Sequence, residues 1–485
     1  MKRFSIFALP LAALALPACA ATSDAANPAS ASDTAIVAAT SEAAPTLEQT
    51  EDILMKHIEV LASDDYMGRK PGTEGGRKTI DYLAGELEKY GFEPGYNGSF
   101  EQKVVFERSA APKVALLLGD TVIEGEGVVS LAGSTDFDGV ELVRIASTDD
   151  INDTIAGKLM VIENPMLMRE AAQAGLEAGA RGAIVLAGDA LLANFAGGAQ
   201  RERVKLADMD NGDAEPVFVL LGDDASAAFK AADTDMVSAA YTSDGTRFES
   251  ANVIGRLPGT RPEAGAIVMM AHWDHIGECG EPDAEDRICN GAVDNASGIA
   301  AMLETARRLA AGPQLERDVY IMGTTAEEMG LLGATYFAEN PPRPLDEIHA
   351  ALNIDTVAIA PADAPLSVIG WKRTPLDASI EGVAASLGRT VEVGDESDKY
   401  VRRQDGWALM NKGVPSVLVS SSFGDAEATD TYMSSRYHAA SDEIWEGFEI
   451  GGAASDVPVY VALMRHWATP ALYSKPEGWT FDNEE

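Results

Sequence analysis

Histidines and carboxylates recur in this chain at points where predicted strands end. His272 directly follows the apolar stretch 266–271, and Asp355 follows the apolar stretch 350–354. Sites in open α/β sheets form beyond the carboxyl ends of the strands, so a side chain at such a point is well placed to bind a metal. For His272 alone, a histidine packed at a strand end is the alternative. The candidate ligands are His272, Asp294, Glu328, Asp355 and His438.

This ligand set predicts zinc. Two histidines and three carboxylates offer nitrogen and oxygen atoms without a thiolate, which suits zinc at a catalytic site. One zinc needs three protein ligands and a water, so five ligands suit two Zn²⁺ ions if one carboxylate bridges them. Paired metals about 3.5–4 Å apart can clamp an attacking hydroxide and the oxyanion that it creates.

Two further acids are predicted to act in catalysis. Glu327 precedes Glu328, and neighbouring residues in extended chain point apart, so Glu328 can bind metal while Glu327 faces the bound water as general base. A pair of glutamates is usually solvated surface, but adjacent acids after a buried strand are costly without a cation. Asp274 could hold the second ring nitrogen of His272.

Apolar strands alternate with helices from about residue 252 onward and must position these side chains. Continuous apolar strands separated by helices predict an α/β fold with a mixed, mostly parallel sheet flanked by helices. The main predicted elements are helices over 47–61, 74–90 and 295–310 and strands over 266–271, 319–324, 350–354 and 414–419.

The stretch 113–248 differs in character from the rest of the chain. It contains short β-like pieces and a helix over 166–178, and no cluster of metal ligands is recognisable in it. We interpret it as a small α/β module inserted into the first domain. The predicted organisation is a signal peptide over 1–20, a flexible Ala/Ser/Thr/Pro linker over 21–46, a catalytic domain made of 47–112 and 249–475, and an insert over 113–248.

The N-terminus predicts export. Lys2 and Arg3 precede an apolar stretch and then small residues, as in a secretory signal. The residues before Cys19 resemble a lipoprotein lipobox, so Cys19 would carry a lipid anchor, and ordinary cleavage after Ala20 is the alternative. The predicted location is the periplasm, or the outer membrane as a lipoprotein, with simple secretion as the alternative.

Charge and cysteine content restrict the partners. The formal net charge of −40 argues against nucleic acid and anionic membrane surfaces as partners. Cys279 and Cys289 remain after export, and such a pair in an oxidising compartment predicts a disulfide, with zinc ligation by thiolates as the alternative.

Five ordered motifs combine these residues. They are His272-Trp273-Asp274-His275, residues 291–298, residues 326–333, residues 352–355 and Tyr437-His438. Together they resemble the zinc aminopeptidase family that also holds glutamate carboxypeptidases, glutaminyl cyclases and the transferrin receptor. Residues 61–64, 68–69 and 71–73 resemble the opening signature of that family, and 113–248 resembles its protease-associated insert.

The resemblance implies a role for each site residue. His272 and Asp355 would complete one zinc site, Glu328 and His438 would complete the other, and Asp294 would bridge. The peptide bond after Asp294 is commonly cis in this family. Glu327 would be the base, Asp274 would orient His272, and Asp442 would be a buried acid behind the site. Arg403-Gln404-Asp405 departs at its middle residue from the Arg-Ser-Asp stretch of the family, so no role is assigned there.

The predicted activity is hydrolysis of a terminal peptide bond, first of all as an aminopeptidase. Tyr400, Tyr432 or Tyr437 would assist at the carbonyl oxygen. A carboxypeptidase is the first rival hypothesis and would need an arginine-rich pocket, to which Arg402 and Arg403 could contribute. Two more rival hypotheses are a single-zinc glutaminyl cyclase of the same fold and a non-catalytic binding protein. The side-chain preference and the oligomeric state are not predicted.

Overall fold

The computed structural model describes residues 45–110, 112–199, 203–207, 209, 216–242, 244–280 and 283–481. The predicted signal peptide, the Cys19 anchor and nearly all of the predicted linker lie outside these residues. None of the helices within them is long and apolar enough to cross a bilayer.

Strands and α-helices are numbered separately, each in their order along the chain. The strands are β1 (Glu93–Pro94), β2 (Glu101–Ser109), β3 (Lys113–Leu118), β4 (Thr121–Ile123), β5 (Val128–Ala132), β6 (Phe137–Ile145), β7 (Leu159–Ile162), β8 (Gly182–Leu186), β9 (Arg203–Leu206), β10 (Val217–Leu221), β11 (Met236–Thr242), β12 (Gly245–Leu257), β13 (Ala266–His272), β14 (Gly277–Glu278), β15 (Ile288–Cys289), β16 (Asp318–Thr324), β17 (Ile348–Asn353), β18 (Ser367–Ile369) and β19 (Ser416–Ser420). The α-helices are α1 (Leu47–Leu61), α2 (Glu74–Lys89), α3 (Met168–Glu177), α4 (Asp189–Ala199), α5 (Asp223–Ala231), α6 (Gly298–Ala311), α7 (Leu332–Glu339), α8 (Asp377–Ser386), α9 (Gly406–Met410), α10 (Ala426–Ser435) and α11 (Gly451–Trp467).

A mixed sheet forms the centre of the molecule. Its strands lie in the order β18-β19-β17-β13-β16-β12-β2-β9, and β1 pairs with β12. The four neighbours β19, β17, β13 and β16 are parallel, whereas the outer pairs are antiparallel. The predicted α/β fold with a mixed sheet flanked by helices is confirmed. The prediction that the sheet is mostly parallel is wrong, because three of its eight strand pairs in the described residues are parallel and the antiparallel strands β12, β2 and β9 extend it on one side. Its parallel part carries the site.

Both faces of this sheet are buried, which explains the continuous apolar strands. Along β13, Ile267, Met269 and Ala271 pack into a core with α1, α2, α6, α8 and α11. Val268 and Met270 point to the opposite face and pack with α7 and α9. Because alternate residues of a strand face opposite sides, a strand covered on both sides needs apolar residues throughout.

A second mixed sheet occupies the stretch that was predicted to be an insert. Its order is β4-β3-β11-β6-β7-β8-β10-β5, with β6, β7, β8 and β10 parallel. It has its own buried clusters on its two faces. One strand from this stretch, β9, is not part of the second sheet. It pairs antiparallel with β2 of the central sheet.

The boundaries of some predicted elements shift. The helix predicted from residue 295 begins at Gly298, because Ala292–Ser297 forms a distorted turn in which Asp294 and Asn295 have non-helical backbone angles. The helix predicted over 166–178 is shorter, since a 3₁₀ turn over Pro165–Leu167 precedes it. Helix α1 has the predicted bounds and is capped by Thr46.

Candidate metal centre

The site lies at the carboxyl ends of the parallel strands. His272 is the last residue of β13, and Asp355 follows β17 after one intervening residue. Glu327 and Glu328 follow β16. Asp294 belongs to the turn before α6, and His438 comes from the loop after α10. The fold therefore brings all five predicted ligands to one edge of the central sheet.

Asp294 lies between two histidines. Its Oδ1 is 3.2 Å from Nε2 of His272, and its Oδ2 is 3.3 Å from Nε2 of His438. Nε2 of His272 is also 3.3 Å from Oδ1 of Asp355. Ligand atoms of His272, Asp294 and Asp355 all lie within 4.8 Å of one another, which is close enough to surround one metal ion. A carboxylate with one oxygen towards each side has the arrangement that a bridging ligand needs.

Glu328 lies between two histidines and forms a second group of possible ligands with them. One of these histidines was missed by sequence reasoning. Oε2 of Glu328 is 2.9 Å from Nε2 of His438, and Oε1 is 2.7 Å from Nδ1 of His275. His275, Asp294 and Glu328 form a second set of ligand atoms within 4.8 Å. His275 stands in the His272-Trp273-Asp274-His275 motif, so its place there was the available signal, but no role was assigned to it.

A hydrogen-bonded shell fixes the Asp294 turn. Asp442 accepts hydrogen bonds from the backbone N–H groups of Val293 at 3.0 Å and Asp294 at 3.1 Å, and from the hydroxyl of Tyr432 at 2.9 Å. The peptide bond between Asp294 and Asn295 is cis. Asp442 therefore occupies the place behind the site that the resemblance implied.

Asn295 ties the Asp294 turn to the Asp355 loop. Its amide nitrogen donates to the carbonyl oxygen of Ile354 at 3.1 Å, and its amide oxygen accepts from the backbone N–H of Thr356 at 3.2 Å. The relative positions of two predicted ligands thus depend on one buried amide side chain.

Three residues at the same place have a strained backbone. Ala326, Thr356 and His438 have φ angles of 56°, 56° and 58°. Non-glycine residues rarely adopt this left-handed region, and such conformations cluster at functional sites where the surrounding structure holds them. Ala326 immediately precedes Glu327, Thr356 immediately follows Asp355, and His438 is itself a predicted ligand.

Asp274 is fully buried, but it contacts His272 differently from the prediction. Nδ1 of His272 is 3.1 Å from the backbone oxygen of Asp274 and 3.9 Å from its Oδ1. The carboxylate accepts the backbone N–H of Glu327 at 3.1 Å. Burial raises the pKa of Asp274 to about 7. The ring of His272 is therefore oriented mainly by the main chain, while the carboxylate positions the residue predicted to be the base.

The charges of the site suit a bound cation. In the described part of the chain, the ion pairs of Asp294, Glu328 and Asp355 are made with histidines, not with lysine or arginine. Although burial alone would lower it, hydrogen bonds to Asp294 and Glu328 raise the pKa of His438 to about 10. Burial of Glu327, together with nearby negative charges, raises the pKa of that carboxyl well above its usual value. Buried carboxylates are costly unless they are paired or bind a metal ion, and the nitrogen and oxygen donors gathered here fit zinc.

A cavity opens onto the predicted base. Its walls include Glu327, Tyr400, Arg403, Phe423, Met433 and Tyr437. The ring of Tyr437 stacks on His438 at a centroid distance of 3.8 Å, and Nη2 of Arg403 lies 3.3 Å from the Tyr437 hydroxyl. Arg402 is exposed and stacks on Trp407. Of the three tyrosines considered, Tyr432 uses its hydroxyl on Asp442, while Tyr400 and Tyr437 line the cavity.

The predicted disulfide is present. Cys279 and Cys289 are joined across the β14–β15 hairpin, which connects His272 to Asp294 along the chain. The alternative in which these thiols bind zinc is therefore wrong. Asp405, which was left without a role, is buried and accepts a hydrogen bond from the hydroxyl of Thr324.

Comparisons with known proteins identify a peptidase family and several similar proteins. Residues 252–449 match peptidase family M28. The chain is 27% identical over 249 residues to "Leupeptin-inactivating enzyme 1" of Streptomyces exfoliatus, which covers 48% of this chain and 51% of that protein. It is 26% identical over 356 residues to "Probable lipoprotein aminopeptidase LpqL" of Mycobacterium tuberculosis, which covers 67% of this chain and 63% of that protein.

Shorter and structural similarities exist as well. A "Probable zinc metalloprotease" of Pyrenophora tritici-repentis is 28% identical over 156 residues, which is 31% of each protein. The chain thus spans about a third to a half of the length of several curated relatives that it matches. The solved structure "Aminopeptidase from Aneurinibacillus sp. strain AM-1" superposes with a TM-score of 0.49 and 17% identity, covering 93% of this chain and 98% of that one. All five predicted ligands lie within residues 252–449, the part of the chain that matches peptidase family M28.

Proposed function

We propose that the protein is a zinc metallo-exopeptidase that hydrolyses terminal peptide bonds with two Zn²⁺ ions and acts as an aminopeptidase. The observation that carries this proposal is the position of Asp294, whose two oxygens face His272 and His438 at 3.2 and 3.3 Å. The match of residues 252–449 to peptidase family M28 and the similarity to a probable lipoprotein aminopeptidase support it.

The residues would divide between the two ions as the family resemblance implied. His272 and Asp355 would hold one zinc, Glu328 and His438 the other, and Asp294 both. When bound, the pair would polarise the scissile carbonyl and lower the pKa of a water molecule. His275 holds the second oxygen of Glu328 and so orients this ligand.

Glu327 is the proposed general base. It lines the cavity beside His272, Asp294 and Asp355, and its backbone N–H is held by Asp274. A carboxyl group whose pKa is raised by burial is suited to accept a proton from water and to return it to the leaving amine. Tyr437 is the proposed donor to the carbonyl oxygen, since its ring stacks on His438 and the residue lines the cavity.

The lining of the cavity bears on which end of a peptide would bind. Glu327 and Asp355 contribute carboxylates to its lining, and Arg403 is the arginine that reaches it among the described residues. An α-carboxylate would therefore find one arginine on this wall, which is why we propose that the amino end of the peptide binds here. A carboxypeptidase pocket would need more arginines than this wall supplies.

We further propose the wider organisation predicted above. Residues 113–248, which contain the second sheet, are proposed to be a protease-associated insert. Export and a lipid anchor at Cys19 are proposed on the N-terminal pattern, and one relative is named a probable lipoprotein.

The test is an assay of purified, zinc-loaded protein on aminoacyl and N-acetylated peptides, with metal analysis. Glu327→Gln should lower kcat by about 10²–10⁴-fold while two zinc ions remain bound. Glu263→Gln is the control. That side chain is 72% exposed and pairs with Arg261, and Glu263 lies before the start of β13, whereas His272 is at the other end of this strand. Full activity of Glu327→Gln would contradict the mechanism. Cleavage of N-acetylated peptides alone would contradict the aminopeptidase assignment, and one bound zinc with cyclisation of N-terminal glutamine would favour the cyclase.

A further inference from the structure

Arg69 is buried directly behind the site and donates to backbone carbonyls. It is 1% exposed. Its Nε donates to the oxygen of Trp273 at 2.9 Å, and Nη1 donates to the oxygens of Leu61 at 2.8 Å and Asn290 at 2.6 Å. Its Nη2 donates to the oxygen of Gly291 at 3.0 Å and reaches that of Asp294 at 3.5 Å.

These carbonyls belong to the two segments that carry ligands. Trp273 directly follows His272, and Asn290 and Gly291 lead into the turn that contains Asp294. Arg69 lies outside the segment 252–449 that matches the peptidase family, in the stretch that resembles the family's opening signature. One guanidinium therefore joins both ligand-bearing segments to the end of α1, whose last carbonyl it also satisfies. The planar fork of five N–H donors makes such a multiple contact possible, and a lysine ammonium cannot reproduce it.

The loop that presents Arg69 is held under backbone strain. Met67 and Arg69 both have a φ angle of 49°, in the left-handed region that non-glycine residues rarely adopt. Gly68 between them packs so closely on the β14–β15 hairpin that an added Cβ would meet the carbonyl oxygen of Cys289 and lie 2.8 Å from Cα of Gly277. Strain of this kind persists only where surrounding contacts hold it, and it is concentrated where geometry matters for function.

The charge of Arg69 also suits its place. Burial lowers the pKa of its guanidinium to about 10, while the negative charges of Asp294 and Asp442 oppose that shift. The group is therefore a permanent cation at neutral pH, placed behind a cluster of carboxylates. Loss of it would leave the buried carbonyls of three segments without their donors.

We propose that Arg69 is a positioning residue, which holds the His272 and Asp294 segments at the separation that two zinc ions need and thereby sets zinc affinity. This inference rests on the proposed function. It differs from a purely structural role, in which Arg69 would stabilise the fold without a specific effect on metal binding.

Arg317 is a matched control. It is also 1% exposed and donates to backbone oxygens, from Nε to Ala264 at 2.9 Å and from Nη1 to Trp467 and Tyr473 at 2.6 Å each. Burial lowers its pKa to about 10 as well. It joins segments near the C-terminal end of α11 and contacts no predicted ligand.

The experiment compares Arg69→Lys and Arg317→Lys with wild type. Zinc affinity is measured by chelator competition, and the free energy of unfolding is measured by urea titration of zinc-free protein. Both variants should be less stable than wild type. Only Arg69→Lys should bind zinc more weakly, by about 10- to 100-fold, the usual effect of losing a residue that orients metal ligands. Gly68→Ala, which displaces the Arg69 loop without removing the charge, should weaken zinc binding in the same direction.

Three outcomes would overturn the inference. These are unchanged zinc affinity in folded Arg69→Lys, equal losses of zinc affinity in the two arginine variants, and failure of Arg69→Lys to fold even in excess zinc. In the last case Arg69 would be needed for the fold itself. Wild-type protein that takes up no zinc would instead contradict the proposed function.

Discussion

The disulfide between Cys279 and Cys289 allows a quantitative prediction. Replacing both cysteines by serine removes a cross-link that closes a loop with a sequence separation of 10. In the chain-entropy description, releasing a loop of this length from the unfolded chain lowers the free energy of unfolding by about 3 kcal/mol. The change acts on the unfolded state, so most contacts of the folded protein should survive it.

The local environment determines what else is expected. Cys289 is followed by Asn290 and Gly291, whose carbonyls accept from Arg69. The hairpin also packs against Gly68. These contacts do not depend on the sulfur atoms, so the Cys279→Ser, Cys289→Ser double variant should still fold and bind zinc, with the hairpin less firmly held.

The assay is urea unfolding of wild type and of the double variant, each with and without reductant. Wild type in reductant should lose about 3 kcal/mol and match the variant. The variant itself should not respond to reductant, which makes it the control for other effects of the reagent. The entropy reasoning would be refuted if thiol titration showed the disulfide fully reduced while the unfolding midpoint of wild type stayed unchanged. A double variant as stable as oxidised wild type would refute it equally.

Two further predictions concern histidines. His275→Gln should weaken zinc binding by about 10- to 100-fold, because Nδ1 of His275 orients Glu328 from 2.7 Å; chelator competition measures this, and wild-type affinity would show that the contact is dispensable. Burial, and then the charges of Arg317 and Lys475, lower the pKa of His349 from 6.5 to about 4. The unfolded state therefore takes up a proton that the folded state resists, and stability should fall as the pH drops from about 6.5 towards about 4. If the whole pKa difference acted, the free energy of unfolding would fall by about 2 kcal/mol between about pH 8 and about pH 5. Solvent screening at this half-buried ring reduces the expected loss to about 1 kcal/mol. Urea unfolding of wild type and His349→Gln at both pH values isolates the contribution of His349 to the pH dependence of stability. An equal pH dependence in the two proteins would contradict a role for His349.

The parts of the site that could be predicted from sequence are those attached to regular elements. His272 and Asp355 stand at or just past the ends of apolar strands, so the period of the pattern was enough to place them on one edge of the sheet. The Cys279–Cys289 pair could be predicted because its two members are close in sequence and the N-terminal pattern indicated an oxidising compartment.

The parts that could not be predicted depend on contacts between distant segments. Arg69 contacts Trp273 across 204 positions, and no local pattern distinguishes such an arginine from an exposed one. The contact of His275 with Glu328 spans 53 positions and depends on the path of two loops. The late start of α6 follows from the Asp294 turn, which tertiary contacts to Asp442 hold against the helical tendency of the sequence. Propensity and period carry no information about such contacts.

The pairing of β9 with β2 has a consequence for any attempt to shorten the chain. Residues 113–242 resemble a detachable cassette because they contain a sheet of their own, yet β9 comes from within them and covers one side of β2 over residues 106–109. Excision would carry β9 away and expose a row of unpaired main-chain donors and acceptors along that side of β2. An open edge of this kind is a template for pairing between molecules. A trimmed catalytic unit would thus need a replacement strand, or charged residues along β2, to stay monodisperse in solution.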